Sequence, residues 1–307
     1  GRRRDRWRAG KSPNAPTLGL MKADGIRSRW VDLPSPVHVA GLGGEGVPVV
    51  CVHGLGGSYA NWIPSARYLR SVGEVDAIDL PGFGLSPPAP DGAGLDINRR
   101  VLDRYLRTLG RPAVLIGNSM GGAIALRQAA VAPETVERLV LVSPAAPWPF
   151  RRDLPDPLVA ALFLAYMLPG VARLLLYGRR TLLSPEAVAR WMLALCAARP
   201  ERLGPEVVDL HVEVAERRRD IPGIDRAFTE ATRSVIWSAL RRGPHDRDVA
   251  AVQAPTLVIH GGEDRLVSAK AAERLAEMRP DWQVEILPDV GHVAMLEVPA
   301  TFGRLVT

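Results

Sequence analysis

The hydrophobic positions of this chain follow two rhythms. Short apolar runs rich in β-branched residues recur at Val49–Val52, Val75–Ile78, Ala113–Ile116, Leu139–Val142 and Thr256–Ile259, with Val284–Leu287 near the end. Between them lie stretches of helical spacing, Ala60–Ser71, Asp96–Leu109, Met120–Ala132 and Ala269–Met278. A strand that is apolar throughout has to be covered on both faces. Strands of that kind alternating with helices predict a parallel sheet between two helical layers. Two further β-like runs, Arg29–Leu33 and Val37–Ala40, precede the alternation. The glycine-rich stretch Gly41–Gly46 (GLGGEG) formally matches a dinucleotide-binding fingerprint. That fingerprint must open a helix, and here another strand follows, so a hairpin turn is expected instead.

The alternation stops between Pro144 and Asp248, where no strand pattern appears and Leu, Ala and Arg dominate. Ser184, Pro185 and Glu186 read as a helix N-cap, a first-turn proline and a first-turn acid. Residues 144–248 are therefore expected to form a helical insertion, with the core built from 29–143 and 249–307. The longest apolar run, Leu158–Leu168, is about half of the ~20 residues a membrane-spanning helix needs, and Pro169 ends it. It is expected to be a buried or lid helix, with a membrane-surface helix as the alternative.

Charge changes the picture less than its total suggests. The chain of 307 residues carries a formal +6, but +5 of that lies in the first eleven residues (GRRRDRWRAGK). The remaining body is almost neutral, which argues against a basic groove for nucleic acid. Residues 1–28 read as a basic tail. A solvated tail is the preferred reading, and weak attachment to an anionic membrane surface is the alternative. Because the chain opens on Gly1 and not on a methionine, its beginning carries no information on export. Two cysteines, Cys51 and Cys196, are too few for a disulfide framework. Arg far outnumbers Lys, and Gly and Pro are abundant, which suggests a bacterial, high-GC coding bias. A cytoplasmic or membrane-peripheral location is expected.

The candidate chemistry lies where strands end. In parallel α/β sheets, ligands bind outside the carboxyl ends of the strands. The run Ala113–Ile116 leads directly into GNSMGG (Gly117–Gly122) and then into a helix. That is G-x-S-x-G in the strand–turn–helix setting of a nucleophile elbow, with Ser119 at its tip. A serine hydroxyl needs a base, and the base needs an orienting group. Candidates stand after later strands: Glu263 and Asp264 in HGGEDRLV, and His292 in PDVGHVAMLE. The chain order Ser119, Asp264, His292 is the order known for such elbows.

These stretches, together with HGLGGSYANW (His53–Trp62) and DLPGFGLS (Asp79–Ser86), resemble the α/β-hydrolase fold superfamily. The resemblance implies a mostly parallel central sheet flanked by helices, with the insertion as a helical cap. It implies a triad of Ser119, Asp264 and His292, with Glu263 as the local alternative for the acid. It also implies an oxyanion hole from the backbone N–H groups of Leu55 and Met120. His53 is expected to brace its loop. Gly54, Asn118 and Trp62 are expected near the substrate. The other histidines, His38, His211, His245 and His260, have no zinc-ligand spacing, so neither a metal nor another cofactor is expected.

The resemblance implies acyl transfer to water, and hydrolysis of a carboxylic ester is the leading reading. The Leu-rich insertion (Leu158, Leu162, Phe163, Leu164, Leu168 and Leu174–Leu176) offers either an apolar roof over an acyl chain or a core for the insertion itself. The runner-up is a C–C bond hydrolase of ring-opened aromatic diketo acids, which GNSMGG and PGFG also resemble. Members of that kind carry an aromatic residue shortly after the histidine, whereas this chain reads HVAML. Acyl transfer to another acceptor is a further alternative. A non-catalytic small-molecule-binding protein on the same scaffold is the reading from another class.

Overall fold

A computed structural model describes residues 26–33, 35–147 and 156–307. The expected tail, 1–28, lies outside these except for its last three residues, of which Arg27 and Ser28 already belong to the first strand. Among the described residues, eight strands form one sheet: β1 (Arg27–Asp32), β2 (Pro36–Gly43), β3 (Pro48–Val52), β4 (Glu74–Ile78), β5 (Ala113–Asn118), β6 (Val136–Val142), β7 (Thr256–Gly261) and β8 (Gln283–Leu287). Their spatial order is β1-β2-β4-β3-β5-β6-β7-β8. The β1–β2 and β2–β4 pairs are antiparallel, and every pair from β4 to β8 is parallel. This is the α/β-hydrolase arrangement.

One sequence expectation fails here. The glycine-rich stretch after β2 is not a hairpin, because β2 and β3 do not pair; β4 lies between them and bonds to both. Gly43, Gly44 and Gly46 all take positive φ in this connection. A Cβ on Gly44 would lie 2.0 Å from the Gly73 carbonyl oxygen, so the chain crosses the end of the sheet at backbone contact.

Two apolar cores cover the two faces of the sheet, one around Trp62, Tyr59, Phe302 and Met295, the other around Phe83, Tyr105, Leu102 and Leu115. Helices α1 (Ile63–Leu69), α2 (Leu95–Thr108) and α3 (Met120–Val131) follow the early strands. The segment between β6 and β7 holds α4 (Pro157–Met167), α5 (Pro169–Leu182), α6 (Pro185–Cys196), α7 (Pro205–Arg218), α8 (Ile224–Ala239) and α9 (Arg242–Ala251). Ser184 caps α6, accepting a hydrogen bond from the Ala187 N–H at 3.1 Å. The expected boundary at 248 falls inside α9, which packs on α3 and so belongs with the core layer. Helices α10 (Lys270–Met278), α11 (Ala294–Glu297) and α12 (Pro299–Val306) complete the chain.

A similarly close backbone contact lies under α3. A Cβ on Gly117 would stand 2.4 Å from the Gly121 carbonyl oxygen, and one on Gly121 would stand 2.3 Å from that of Val52. Neither obstacle is a flexible side chain, so glycine is required at both places. Gly121→Ala is therefore expected to cost about 3 kcal/mol or more, or to prevent folding. Gly170→Ala, where a Cβ meets nothing within 4 Å, is expected to be neutral or slightly stabilising. Urea unfolding midpoints of the two variants check this.

Candidate active site

Ser119 sits between β5 and α3 with φ 54° and ψ −117°, a conformation that costs a non-glycine residue of order 1–3 kcal/mol. Backbone bonds on both sides hold it there: its N–H donates to Val142 O at 3.0 Å, and its carbonyl accepts from the Ala145 N–H at 2.9 Å. Met120 is the first residue of α3, so its N–H is among those a helix leaves without an intrahelical partner. Gly54 and Leu55 face the same cavity from the loop after β3.

The structure brings His292 and Asp264 together. His292 Nδ1 lies 2.7 Å from Asp264 Oδ2. A hydrogen bond donated from Nδ1 leaves Nε2 as the basic nitrogen. The other carboxylate oxygen, Oδ1, accepts the N–H groups of Leu266 and Val267 at 2.8 and 3.0 Å. Burial pushes the Asp264 carboxyl up, but the His292 charge and hydrogen bond, with His260 and the Val267 N–H, outweigh it and leave it below the usual carboxylate range. Glu263, the alternative acid, points elsewhere: it is exposed and pairs with Arg199 at 2.8 Å.

Asn118 lines the cavity, but its Nδ2 is committed, donating to Val142 O and to His292 O at 3.1 Å each. It thereby ties the histidine loop to the elbow. His53 braces its loop: Nδ1 lies 2.7 Å from Gly54 O, and Nε2 accepts the Leu80 N–H at 3.1 Å. Burial pushes its pKa down, so the ring is held neutral. Trp62 does not reach the cavity. It is fully buried in the core and packs against Phe302 at 6.4 Å between ring centroids, which corrects its expected place beside the substrate. Asp79 anchors the loop beyond it, accepting the N–H groups of Tyr59 and Leu85 at 2.7 and 2.9 Å and facing His38 Nδ1 at 2.7 Å. Ser28 Oγ lies 2.7 Å from the far nitrogen of His38. These are the same residue types as at Ser119, but neither Ser28 nor His38 lines the cavity.

Sequence reasoning missed three contributors. Glu297 is buried and accepts N–H groups from Gly291, Ala198 and Arg199 at 2.7, 2.9 and 3.1 Å. It clamps the histidine loop to the end of α6, as does the 2.7 Å bond from the His292 N–H to Cys196 O. Arg179 and Arg218 are the others. They line the same cavity as Ser119, whose volume is about 280 Å³ and whose remaining walls are largely apolar, including Leu162, Phe163, Val235 and Ile236. Burial pushes the Arg218 guanidinium down to about 10, and the neighbouring Arg179 charge adds to this. Its Nη2 donates to Gly82 O at 3.3 Å. Arg179 lies 3.8 Å from Asp225 and over the Phe228 ring. In the sequence these arginines sit in short Arg runs, which read as solvated helix faces.

Asp264→Asn is expected to lower kcat about 10⁴-fold by presenting the wrong partner to His292, while Glu263→Gln leaves turnover within about twofold. The depressed Asp264 pKa has a second consequence. Its stabilisation is present above the unfolded value near 3.9 and is lost as pH falls through the lower folded value. Between about pH 5 and 3, the unfolding free energy of Asp264→Asn should fall less steeply than that of the parent chain. Urea titrations across that range measure it.

Comparison with known proteins places these features. The model of the alpha/beta hydrolase family matches residues 49–305. A dihydrolipoyllysine-residue acetyltransferase component of an acetoin cleaving system from Pseudomonas putida is 30% identical over 83% of this chain, which spans 61% of that protein's length. A protein described as a carbamate hydrolase in Variovorax paradoxus is 31% identical, over 88% of this chain and 94% of its own. Among solved structures, a meta-cleavage product hydrolase from Pseudomonas fluorescens IP01 superposes with a TM-score of 0.71 at 25% identity, covering 91% of this chain and 95% of that one.

Proposed function

Because this chain belongs to the alpha/beta hydrolase family, we propose that it is a serine hydrolase cleaving a carboxylic ester through an acyl-enzyme on Ser119. The observation that carries this reading is His292, backed by Asp264 at 2.7 Å, lining one cavity with a serine held at φ 54°. Ser119 Oγ attacks the ester carbonyl and gives its proton to His292 Nε2. The Nδ1–Asp264 bond holds the imidazole in the tautomer that accepts it. The N–H groups of Met120 and Leu55 receive the developing oxyanion, each such donor being worth on the order of 10²–10³ in rate. Collapse expels the alcohol with the proton from His292. Water, deprotonated by the same nitrogen, then releases the acid. The apolar walls at Leu162, Phe163, Val235 and Ile236 suit an acyl chain.

A second reading, hydrolysis of a C–C bond in a ring-opened aromatic diketo acid, is favoured by two observations. One is the likeness to the meta-cleavage product hydrolase. The other is the Arg179–Arg218 pair, which places positive charge in the cavity where a substrate carboxylate would be received.

A fluorophosphonate probe is expected to label the parent chain and not Ser119→Ala; labelling of both would overturn the assignment of the nucleophile. Turnover of p-nitrophenyl esters of increasing chain length, with none of a dienol diketo acid, is the result expected for an ester hydrolase. The reverse pattern, together with a loss of about 1.5–3 kcal/mol in apparent binding of that acid on Arg218→Gln, would establish the second reading in its place.

A further inference from the structure

Helix α5 divides its sides between solvent and a groove. Val171, Leu175 and Leu182 are exposed, the last at 82%. Arg173, Leu176, Tyr177 and Arg180, spaced i, i+3, i+4 and i+7, share the opposite side. All four line a groove of about 1040 Å³ between α5 and α8, whose other wall includes Asp225, Thr229, Glu230 and Arg233. The leucines of the insertion divide accordingly: Leu162 lines the catalytic cavity, Leu176 is buried, and Leu158, Leu164 and Leu168 face solvent. The groove is continuous with the catalytic cavity, because Arg180 and Asp225 line both.

Charge is placed unevenly along this path. Among the described residues, the cavity is lined by four arginines, Arg179, Arg180, Arg218 and Arg219, and by one carboxylate, Asp225. Asp225 lies 3.8 Å from Arg179. The groove adds Arg173, Arg226 and Arg233 against Glu230. Glu230 is already engaged, by Arg226 at 2.7 Å and the Ala93 N–H at 3.2 Å, and Arg233 donates to Tyr166 O at 3.3 Å. Arg173 and Arg180 are left, neither paired with a carboxylate among the described residues.

The two ends of the cavity differ along α8. Asp225 stands at the arginine end, and the apolar walls at Val235 and Ile236 begin about 15 Å farther on, at 1.5 Å per residue. Phe228 lies between them, and a Cβ on Gly56, beside the oxyanion donors, would be 3.3 Å from its ring. The reacting carbonyl is thus set between a cationic end and an apolar one. With the acyl chain on the apolar walls, the alcohol part of the ester is directed toward the arginines. We propose that the groove between α5 and α8 is a subsite for a carboxylate carried by the alcohol part of the ester, received by Arg180 and Arg173. This rests on the ester reading and names the class of alcohol it releases. Asp225 and Glu230 in the same groove repel a dianion, so a monoanion is the charge that fits.

Two hexanoate esters test it, one with 4-hydroxybenzoate as the alcohol part and one with 4-hydroxybenzamide. The amide withdraws electrons more strongly, so inherent reactivity favours the neutral ester. At low salt the parent chain is expected to turn over the carboxylated ester with a kcat/KM about tenfold or more above that of the neutral one, a ratio that shrinks as salt is added. Arg173→Gln combined with Arg180→Gln is expected to lower that ratio about tenfold at the parent Tm, since both side chains are exposed. Arg190→Gln, the same loss of charge outside the groove, is expected to keep the ratio. Equal kcat/KM for the two esters in the parent chain would overturn the proposal, as would a preference that the double variant retains. Selection of p-nitrophenyl hydrogen adipate over p-nitrophenyl hexanoate, with no preference within the first pair, would overturn it too, because the charge would then belong to the acyl part. Failure to turn over any of these esters, together with no fluorophosphonate labelling, would instead remove the ester reading, and the subsite with it.

Discussion

The site depends on two backbones being allowed to touch. Where α3 leaves β5 beside β3, Gly117 and Gly121 replace side chains with hydrogen, and the space a Cβ would need is filled by carbonyl oxygens at 2.3–2.5 Å. That approach turns the chain sharply enough to lift Ser119 into a positive-φ conformation at the start of a helix. Strain of this order persists only when the surroundings over-determine it. The bonds to Val142 and Ala145, from the next strand and the loop after it, supply that determination.

Around this point the protein spends buried polar groups on position. Asp264 is held by two N–H groups before it meets His292. Asn118 reaches from the elbow to the histidine's carbonyl, and Glu297 joins the histidine loop to the end of α6. An unpaired carboxylate would be costly in such surroundings, whereas one saturated with N–H donors is a rigid fixture. The consequence is that the insertion is fastened to the core at the base, through Cys196, Ala198 and Arg199, while α4 and α5 lie farther along the chain's outer surface.

The electrostatic character of the molecule is local. The body is almost neutral in sum, yet the cavity holds Arg179 and Arg218 together, the latter depressed by burial first and by its neighbour second, and Arg173 and Arg180 of α5 share a groove with Asp225 and Glu230. Net charge averages these away, and only position restores them.

The sequence by itself determined the sheet, the elbow and the order of the three polar residues. These follow from local signals: β-branched runs, glycine where no Cβ fits, and polar residues placed just after strands. The strand edges came out within one to three residues, because pairing with neighbours extends a run that hydrophobicity alone ends early; β6 begins at Val136, three residues before its apolar stretch. What local signals cannot carry is which strand lies beside which. The glycine turn after β2 looked like a hairpin, and the tertiary structure put β4 into the gap. Trp62 was expected near the substrate, and packing sent it into the core instead. The choice of Asp264 over Glu263, adjacent and chemically alike, was settled by direction, since successive side chains leave a turn on different sides. The arginines of the cavity and the leucines of the outer face were indistinguishable from ordinary amphipathic helix until the helices were placed. A side chain's surroundings depend on what packs against its helix, and that is a property of the whole chain.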